Sequence, residues 1–328
     1  MKKNCSVLSN EVKINKRPNR FKQQGYAKPF MEYLALPCKS ALHPNKHRMP
    51  CAWDLNIYRG CEHGCRYCYA LYSHDYLNDS DRRFFDRVYY KSNIAQVLEK
   101  ELSAKSWKHE AVNIGGVTDS YQPLEEQLQI MPEILKVLIK HKTPAIIATK
   151  SNLILRDLDY LCELSTVADL KVSLTITTMD ESLQRQLEPR ATSPQRRMTA
   201  LKKLVDSGIS AGITLMPVIP HLTDSYENLE AIYQSASAAG VEYIRSHLLY
   251  LIGKTRGSFL SFLNTYDEQI YRQVKDLYRT QDPPAAYRRE FYAKMRSLRE
   301  KYQIPGWSSL KMPENSSLQT SLLDFRRI

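Results

Sequence analysis

The sequence predicts an α/β fold built on a parallel sheet, because strand-like and helix-like segments alternate along the chain beyond residue 50. Six short apolar or alternating segments predict strands, and the amphipathic segments between them predict helices. Two further amphipathic segments follow the sixth strand and predict appended helices. This order fits a sheet that is either barrel-like or doubly wound.

The individual elements follow from the patterning, in chain order. The helix at 125–140 depends on Leu128, Met131, Leu135 and Leu138, which recur at the spacing of one helical face. In the fourth strand polar and apolar residues alternate, which predicts one polar and one apolar face. The predicted strands are 52–58, 111–117, 145–149, 170–177, 210–218 and 243–251. The predicted helices are 92–105, 125–140, 157–164, 194–206, 225–239, 266–279 and 286–302.

The composition is that of a globular chain whose positive charge is unevenly placed. Of its 328 residues 43% are hydrophobic, and no apolar run reaches the roughly 18 residues that a membrane helix needs. The first 50 residues hold eight lysines and three arginines against two glutamates, so most of the net charge of +12 lies there. Such an arm either binds phosphate backbones or is a solvated leader. The predicted organisation is a basic, partly disordered arm (1–36), a core domain (37–251), a helical extension (252–310) and a tail (311–328).

The segment YRGCEHGCRYCYA places Cys61, Cys65 and Cys68 in a short loop after the first predicted strand. The chain has seven cysteines and no secretory pattern at its N-terminus, which predicts a cytoplasmic protein with ligands and free thiols rather than disulfides. Gly60 and Gly64 suit a loop that folds tightly around a bulky group. The spacing therefore predicts a metal centre.

Three kinds of centre are compatible with this loop. A closed zinc site needs four ligands, and His63, Cys51 or Cys38 could supply the fourth. A ferredoxin-type redox centre also needs four thiolates. Three thiolates on a four-iron cluster instead leave one iron open to bind a substrate or cosubstrate.

Five sequence blocks stand out, in this order along the chain: NIYRGCEHGCRYCYALYSHDYL, GGVTDSYQPLEEQ, ATKSNLILRDLDYL, LEPRATSPQRR and GISAGITLMPVIPHLTD. Together they resemble the radical S-adenosylmethionine (SAM) superfamily, and within it the spore photoproduct lyase-like, or DNA repair photolyase-like, subgroup. The resemblance covers about residues 37 to 251. It implies a partial (β/α)6 TIM-like barrel of the radical SAM type with appended C-terminal helices.

The resemblance also implies the chemistry. Cys61, Cys65 and Cys68 would hold a 4Fe-4S cluster whose open iron chelates SAM, and an external reductant of the flavodoxin or ferredoxin type would supply one electron. Reduction would cleave SAM to methionine and a 5′-deoxyadenosyl radical, so that the cofactor does the hard chemistry and the protein orients it.

Further residues are implied as cofactor contacts. Tyr67 would lie near the adenine, while Tyr69 is expected to pack in the core. Backbone carbonyls of Gly115 and Gly116 would take the methionine amino group, with help from Thr118 or Asp119, although these glycines could serve only to turn the chain out of the strand.

The remaining implied contacts lie farther along the chain. Lys150 ends the third strand, Ser173 and Thr175 would bond a ribose or carboxylate, and Ile209 belongs to a segment that would contact the adenine. That segment is equally typical of a helix C-cap followed by a strand. Arg190 would clamp the methionine carboxylate, or else form a salt bridge with Glu188.

The predicted function is that of a radical SAM enzyme on an unknown substrate, with nucleic acid repair or modification favoured. A protein or small-molecule substrate, or a non-enzymatic zinc or iron-sulfur module that binds nucleic acid, are the alternatives. The resemblance implies that spore photoproduct lyase uses a cysteine near the end of the second strand, and IGGVTDSY has none. Tyr121 and Asp119 are therefore the predicted catalytic residues, although Tyr121 could simply pack beneath the loop.

The C-terminal peptide QTSLLDF loosely resembles peptides that bind sliding clamps. A frayed or docked tail is the alternative.

Overall fold

The computed structural model describes residues 31–45, 51–77 and 83–307 of the chain. Residues 1–30 of the expected arm and the expected tail at 311–328 lie outside the described residues. No helix in the part of the chain that the structure describes is long and apolar enough to cross a membrane.

The strands and helices are numbered in chain order. The strands are β1 (Glu32–Ala35), β2 (Leu42–Pro44), β3 (Trp53–Leu55), β4 (Tyr58–Arg59), β5 (Arg87–Tyr90), β6 (Val112–Ile114), β7 (Ala145–Thr149), β8 (Leu170–Thr175), β9 (Ser210–Val218) and β10 (Tyr243–Leu248). The helices are α1 (Ile94–Leu102), α2 (Glu125–Leu128), α3 (Ile130–Lys140), α4 (Leu158–Val167), α5 (Glu181–Leu187), α6 (Pro194–Asp206), α7 (Tyr226–Ala238), α8 (Gly253–Tyr266), α9 (Glu268–Leu277) and α10 (Ala285–Lys301). Short 3-10 helices span Tyr69–Leu77 and Asn152–Asp157.

Seven strands form the main sheet, in the order β10-β9-β8-β7-β6-β3-β2. Its strands run parallel, except that the edge strand β2 is antiparallel to β3. A small second sheet has the order β1-β5-β4. An open, mostly parallel sheet with helices between its strands confirms the predicted α/β fold and its partial TIM-like barrel.

The two faces of β8 have different surroundings, as the alternation predicts. Val172, Leu174 and Ile176 belong to the main apolar core, which the sheet shares with α1, α3, α4 and α6. On the other face, Ser173 accepts a hydrogen bond from Thr214 Oγ1 at 2.9 Å. The polar face therefore lines the interior of the barrel, where polar groups are paired with one another.

The amino end of the barrel is closed by Trp307, which follows α10. Its ring lies 5.3 Å from Lys171 Nζ and 4.7 Å from Arg245 Cζ, and it meets the Tyr243 ring edge to face at 4.7 Å. Trp307 also packs against the small apolar cluster that contains Cys51. The end of the described chain thus seals the side of the barrel opposite the loops that follow the strands.

Several elements match the predicted bounds, and others differ for identifiable reasons. Strands β7 and β9 and helix α6 have the predicted bounds. The predicted helix at 125–140 is broken at Gln129, whose φ is 51°. The buried carboxylate of Glu125 accepts hydrogen bonds from the backbone N–H groups of Ile130 and Met131, and so caps a new helix at this point.

The C-terminal extension departs most from the prediction. The sequence predicts a helix at 266–279, which corresponds to α9, and misses α8 before it. The two helices meet at Asp267, whose side chain accepts a hydrogen bond from the N–H of Ile270 and caps α9. The pattern of α8 is weakened by Gly253 and Gly257. The unpredicted α5 is short, with few buried positions to mark it.

Candidate active site

The three cysteines lie in the loop between β4 and the 3-10 helix Tyr69–Leu77, at the carboxyl ends of the parallel strands. Cys61 and Cys65 are each 8% exposed, and Cys68 is more open. Burial raises the pKa of all three thiols to about 12. Backbone N–H groups of Asp119 and His63 oppose that rise at Cys61, and the N–H of Ala70 does so at Cys68. Donors of this kind stabilise thiolates.

The backbone of the loop depends on two glycines. Gly60 has a φ of +85°, and a Cβ there would lie 2.2 Å from the carbonyl oxygen of Arg87. Gly64 has a φ of +70°. Both positions demand the freedom of glycine, so the loop takes a tight path that other residues would resist.

Asp119 joins the cysteine loop to two strand ends. Its Oδ1 accepts from the N–H of Tyr121 at 2.9 Å and from Thr149 Oγ1 at 2.7 Å. Its Oδ2 accepts from the N–H of Lys150 at 2.7 Å and lies 3.0 Å from His63 Nε2. Although burial opposes its charge, His63 and these donors hold the pKa of Asp119 well below its ordinary value. Three hydrogen bonds and the nearby His63 ring therefore surround the Asp119 carboxylate.

The rest of the block GGVTDSYQPLEE also holds the loop in place. Thr118 Oγ1 donates to the carbonyl of Tyr58 at 2.9 Å. The Gln122 side chain accepts from the N–H of Glu62 at 2.9 Å, and the N–H of Leu124 donates to the Glu62 carboxylate at 2.7 Å. Thr118 is 3% exposed, so its hydroxyl is committed to the loop rather than free to assist an amino group.

Tyr67 belongs to a buried network beside Cys65. Its hydroxyl donates to Glu188, which also accepts from Arg197, and both charged side chains are at most 1% exposed. Burial disfavours the charge of Glu188, but Arg197 and Lys150 lower its pKa. Lys150 Nζ lies 5.8 Å from the Tyr67 ring centroid. Glu188 and Arg197 were not among the predicted site residues, although both lie in the block LEPRATSPQRR.

The glycine pair at the end of β6 lies close to β7 and to the first tyrosine of the 3-10 helix. Gly115 has a φ of +88°, and a Cβ there would lie 2.3 Å from the carbonyl oxygen of Ala148. The carbonyl of Gly116 accepts a hydrogen bond from the Tyr69 hydroxyl. The expectation that Tyr69 packs in the core is wrong, because its side chain is 51% exposed and reaches across the mouth of the barrel.

Ser173 and Thr175 lie on the inner face of β8, and both are at least 95% buried. Ser173 bonds Thr214, and the carbonyl of Thr175 accepts from Arg197 Nη1 at 2.7 Å. The structure thus connects this strand end to the Glu188 network.

Two further predicted contacts concern Arg190 and Ile209. Arg190 donates to the carbonyl of Phe85 at 2.9 Å, and the Glu188 carboxylate pairs with Arg197, so the alternative salt bridge between Arg190 and Glu188 is not formed. The clamp of Arg190 on the methionine carboxylate stays a prediction. Ile209 is 2% exposed and precedes β9 at the amino end of the sheet, away from the cysteines. Gly208, with a φ of +79°, ends α6, which is the helix C-cap arrangement.

Tyr121 lies in the main core, fully buried, and does not reach the mouth of the barrel. Burial and then the carboxylates of Asp157 and Glu125 raise the pKa of its hydroxyl well above the ordinary value. This position disfavours the predicted role of Tyr121 as a hydrogen donor, because its side chain contacts the helical layer instead of the barrel interior.

The helical extension covers the cysteine loop. Thr255 Oγ1 in α8 donates to the carbonyl of Cys68 at 2.9 Å. Phe259 and Leu263 pack in one apolar cluster with Cys65 and Tyr67. Helix α8 therefore shields one side of the loop from water.

The donor set fits a cluster better than a single ion. Among the described residues no three His, Cys, Asp or Glu side chains converge closely enough to hold one metal ion. Cys51 packs against Ala111, Ile146 and Trp307 at the amino end of the barrel, and His63 is engaged by Asp119. Both ring nitrogens of His63 are buried without a hydrogen-bond partner in the described structure, although Nε2 lies 3.0 Å from Asp119 Oδ2. Three thiols in one loop suit a bulky, sulfur-rich group.

Comparison with known proteins gives a consistent result. A family model described as the radical SAM superfamily matches residues 55–233. An uncharacterized protein of Mycobacterium tuberculosis is 34% identical over 285 residues, which cover 85% of this chain and 84% of that protein. An uncharacterized protein of Methanocaldococcus jannaschii is 31% identical over 196 residues, 59% of this chain and 70% of that protein.

Solved structures share the fold at low sequence identity. A spore photoproduct lyase mutant with bound AdoMet and dinucleoside spore photoproduct is similar with a TM-score of 0.61 at 11% identity, over 84% of this chain and 80% of that chain. Another mutant of spore photoproduct lyase gives 0.61 at 13% identity over the same shares. At this identity the likeness shows a common fold.

Proposed function

The chain belongs to the radical SAM superfamily and is a radical SAM enzyme, and we propose that Cys61, Cys65 and Cys68 hold its 4Fe-4S cluster. The observation that carries this proposal is the set of three thiols in one loop at the carboxyl ends of the strands. Members of the superfamily generally need an external one-electron reductant. When bound, the cluster supplies the electron that cleaves SAM to methionine and a 5′-deoxyadenosyl radical.

The chain's own residues would bind and orient the cosubstrate at the mouth. The carbonyl of Gly116 accepts from the Tyr69 hydroxyl, and an ammonium group that replaced this hydroxyl would find the same acceptor. Although burial disfavours its charge, Cys65 and Glu188 raise the pKa of Lys150, which keeps a cation near this mouth. Helix α8 and the Tyr67–Glu188 pair exclude water from the other side of the loop.

For the substrate we propose a nucleic acid. The excess of positive charge in residues 1–50 supports this, and so does the group of exposed aromatic side chains beside the cysteine loop. Tyr69, Tyr72 and Tyr250 are 51%, 43% and 38% exposed, and aromatic faces of this kind stack on bases. The lyase of like fold was solved with a dinucleoside, which supports the same substrate class by analogy.

The reaction proposed here differs from that of spore photoproduct lyase. No cysteine occurs between Cys68 and Cys162, and Cys162 lies on α4, where its thiol faces the carbonyl of Ser207. The segment that follows β6 therefore supplies no thiol to return a hydrogen atom. We expect SAM cleavage without reversal of a spore-type thymine photoproduct.

The test is anaerobic reconstitution with iron and sulfide, followed by dithionite and SAM, with 5′-deoxyadenosine as the product measured. A brown protein with about four irons per chain that forms 5′-deoxyadenosine supports the cluster assignment. Faster formation with DNA or RNA than without supports a nucleic acid substrate. A colourless zinc protein would refute the first proposal, and equal rates with and without nucleic acid would favour a protein or small molecule.

A further inference from the structure

We propose that the cleft between α9, α10 and the loop that follows β9 binds the phosphodiester backbone of the substrate strand, on one side of the nucleotide that reacts. This site lies apart from the three cysteines. It rests on the proposed function, because a nucleic acid is the substrate class proposed there.

The cleft has a volume of about 880 Å³, which is within the range of pockets that hold a small ligand. Residues 273–288, at the end of α9, in the α9–α10 loop and at the start of α10, supply most of its lining, and His221 supplies the rest from the loop after β9. That loop is bound to α10, because the Tyr287 hydroxyl donates to Asp224. The cleft is therefore a preformed feature with fixed walls.

Two arginines line the cleft without a partner. Arg279 lies just beyond α9 and Arg288 lies near the start of α10, and both side chains are exposed. Neither forms an ion pair or a side-chain hydrogen bond within the described residues, whereas Arg272 on α9 pairs with Glu268 at 2.6 Å. A guanidinium group presents N–H donors in a fork that matches phosphate oxygens. Two such groups on one cleft suit a phosphodiester backbone.

The helices around the cleft add positive charge. Residues 268–301, which span α9 and α10, hold nine lysines and arginines against five aspartates and glutamates. Residues 51–328 as a whole hold 36 against 33, so the excess beyond residue 50 is concentrated on these two helices. Asp276 and Asp282 also line the cleft, but the excess of positive charge around them favours an anionic ligand over a cationic one.

The cleft is held beside the cysteine loop by two neighbouring residues of α8. The Arg256 guanidinium donates to the carbonyl oxygens of Tyr278 and Thr280, at 2.6 and 3.0 Å, and so fixes one wall of the cleft. Thr255, the preceding residue, donates to the carbonyl of Cys68. A ligand in the cleft therefore has a set position relative to the cysteine loop.

The segment that follows β10 joins the mouth of the barrel to the cleft. The N–H of Leu251 donates to the carbonyl of Gln281 at 2.9 Å, and the Tyr278 hydroxyl donates to the carbonyl of Leu249 at 2.7 Å. Tyr250, between these two contacts, is 38% exposed. Aromatic faces next to a positively charged groove are typical of surfaces that bind single strands. A base would stack on Tyr250, and the backbone would continue to the two arginines.

The experiment measures how fluorescein-labelled DNA and RNA strands of about 20 nucleotides bind to the reconstituted full-length holoprotein, by fluorescence anisotropy over a series of salt concentrations. The double variant Arg279→Ala with Arg288→Ala should lose roughly 10-fold or more in affinity and about two units of salt slope. The control is Arg289→Ala with Arg296→Ala, which removes the same charge from exposed positions of α10 outside the cleft. It should lose less than about 3-fold in affinity.

Asp276→Asn tests the sign of the charge on the ligand. This variant removes a negative charge from the lining of the cleft, so it should bind the DNA and RNA strands more tightly, by roughly 2-fold or more. A cationic ligand would bind less tightly to the same variant.

Two results would overturn the inference. Equal losses in the two double variants would mean that overall charge alone attracts the strand. Weaker or unchanged binding in Asp276→Asn would mean that the cleft does not hold phosphates, and weaker binding would point to a basic peptide instead. A wild-type protein that binds neither DNA nor RNA would refute the proposed substrate class itself.

Discussion

The two ends of the barrel each bury a cysteine, and the surroundings of the two thiols differ. Cys51 at the amino end is 3% exposed and Cys61 at the carboxyl end is 8% exposed, and burial raises the pKa of both to about 12. Cys51 packs against Ala111, Ile146 and Trp307. Cys51 Sγ also accepts a hydrogen bond from Asn45 Nδ2 at 3.7 Å, whereas Cys61 shares its loop with Cys65 and Cys68. Neither burial nor a donor at the sulfur therefore marks a ligand, whereas the grouping of three cysteines in one loop does.

The largest effect is expected when single cysteines at the two ends are replaced by alanine. We expect Ala in place of Cys61, Cys65 or Cys68 to abolish both iron binding and SAM cleavage, because two thiolates are too few to hold the cluster. Cys51→Ala should retain about four irons per chain and the wild-type rate of 5′-deoxyadenosine formation. Loss of iron in Cys51→Ala would show that a fourth thiolate is used, and the open-iron assignment would fail.

The second test concerns the buried ion pair at the carboxyl end. Glu188→Gln leaves Arg197 buried without its partner, so the free energy of unfolding should fall by on the order of 3–5 kcal/mol in urea denaturation at pH 7. The exposed α5 pair supplies the control, because Glu181→Gln should cost about 0–1 kcal/mol. An equal loss of unfolding free energy in the two variants would contradict the larger stabilisation expected from the buried pair.

The same pair predicts a pH dependence. The folded pKa of Glu188 lies below its ordinary value of 4.5, so its stabilisation is present above that pH and is lost as the pH falls through the folded pKa. The wild-type protein should therefore lose stability as the pH drops below about 4.5, and Glu188→Gln should show a flatter profile there. If unfolding free energy fell with pH in the same way in the wild type and in Glu188→Gln, other titratable groups would dominate the pH dependence.

The third test concerns the amino end. Trp307→Ala removes an aromatic contact with Tyr243 and two cation–π contacts, and should lower the free energy of unfolding by roughly 1–3 kcal/mol. Iron content and KM for SAM should stay at wild-type values, since the cysteines lie at the other end. Trp307→Phe, which keeps an aromatic ring, should recover part of the stability. Loss of iron in Trp307→Ala would mean that the two ends are coupled.

The smallest effect is expected from residues 1–30 of the arm, which lie outside the described residues. Deleting residues 1–30 should weaken nucleic acid binding and make its salt dependence shallower, by about one unit of slope for each phosphate that the arm no longer neutralises. Dithionite-driven SAM cleavage should be unchanged. An unchanged salt slope would make the arm irrelevant to binding.

The sequence predicted the fold well where the signals are local. Helix α6 begins at Pro194 and is followed by Gly208, and its bounds match the prediction. The break at Gln129 could not be predicted, because it depends on a buried carboxylate that caps the next helix. Nor could α8, whose glycines weaken the helical pattern and whose apolar residues contact a loop far earlier in the chain.

In the candidate site, too, local sequence signals could be predicted and contacts between distant segments could not. The spacing of Cys61, Cys65 and Cys68 is a local signal, and the structure keeps these residues together in one loop. The pairing of Glu188 with Arg197 in place of Arg190 depends on the direction in which each side chain leaves its helix or turn. Ile209 directly precedes β9 at the amino end of the sheet, and its contact with the adenine stays a prediction.

The hydrogen bond from Thr255 to the carbonyl of Cys68 has a consequence for how this protein can be divided. The family model ends at residue 233, yet the cover of the cysteine loop comes from Gly253–Tyr266. A barrel cut after β10 would expose Tyr67, Cys65 and Leu249, which now pack against Phe259. The catalytic module is thus longer than the segment that the family model matches, and transplanting the chemistry into another scaffold requires moving α8 with it.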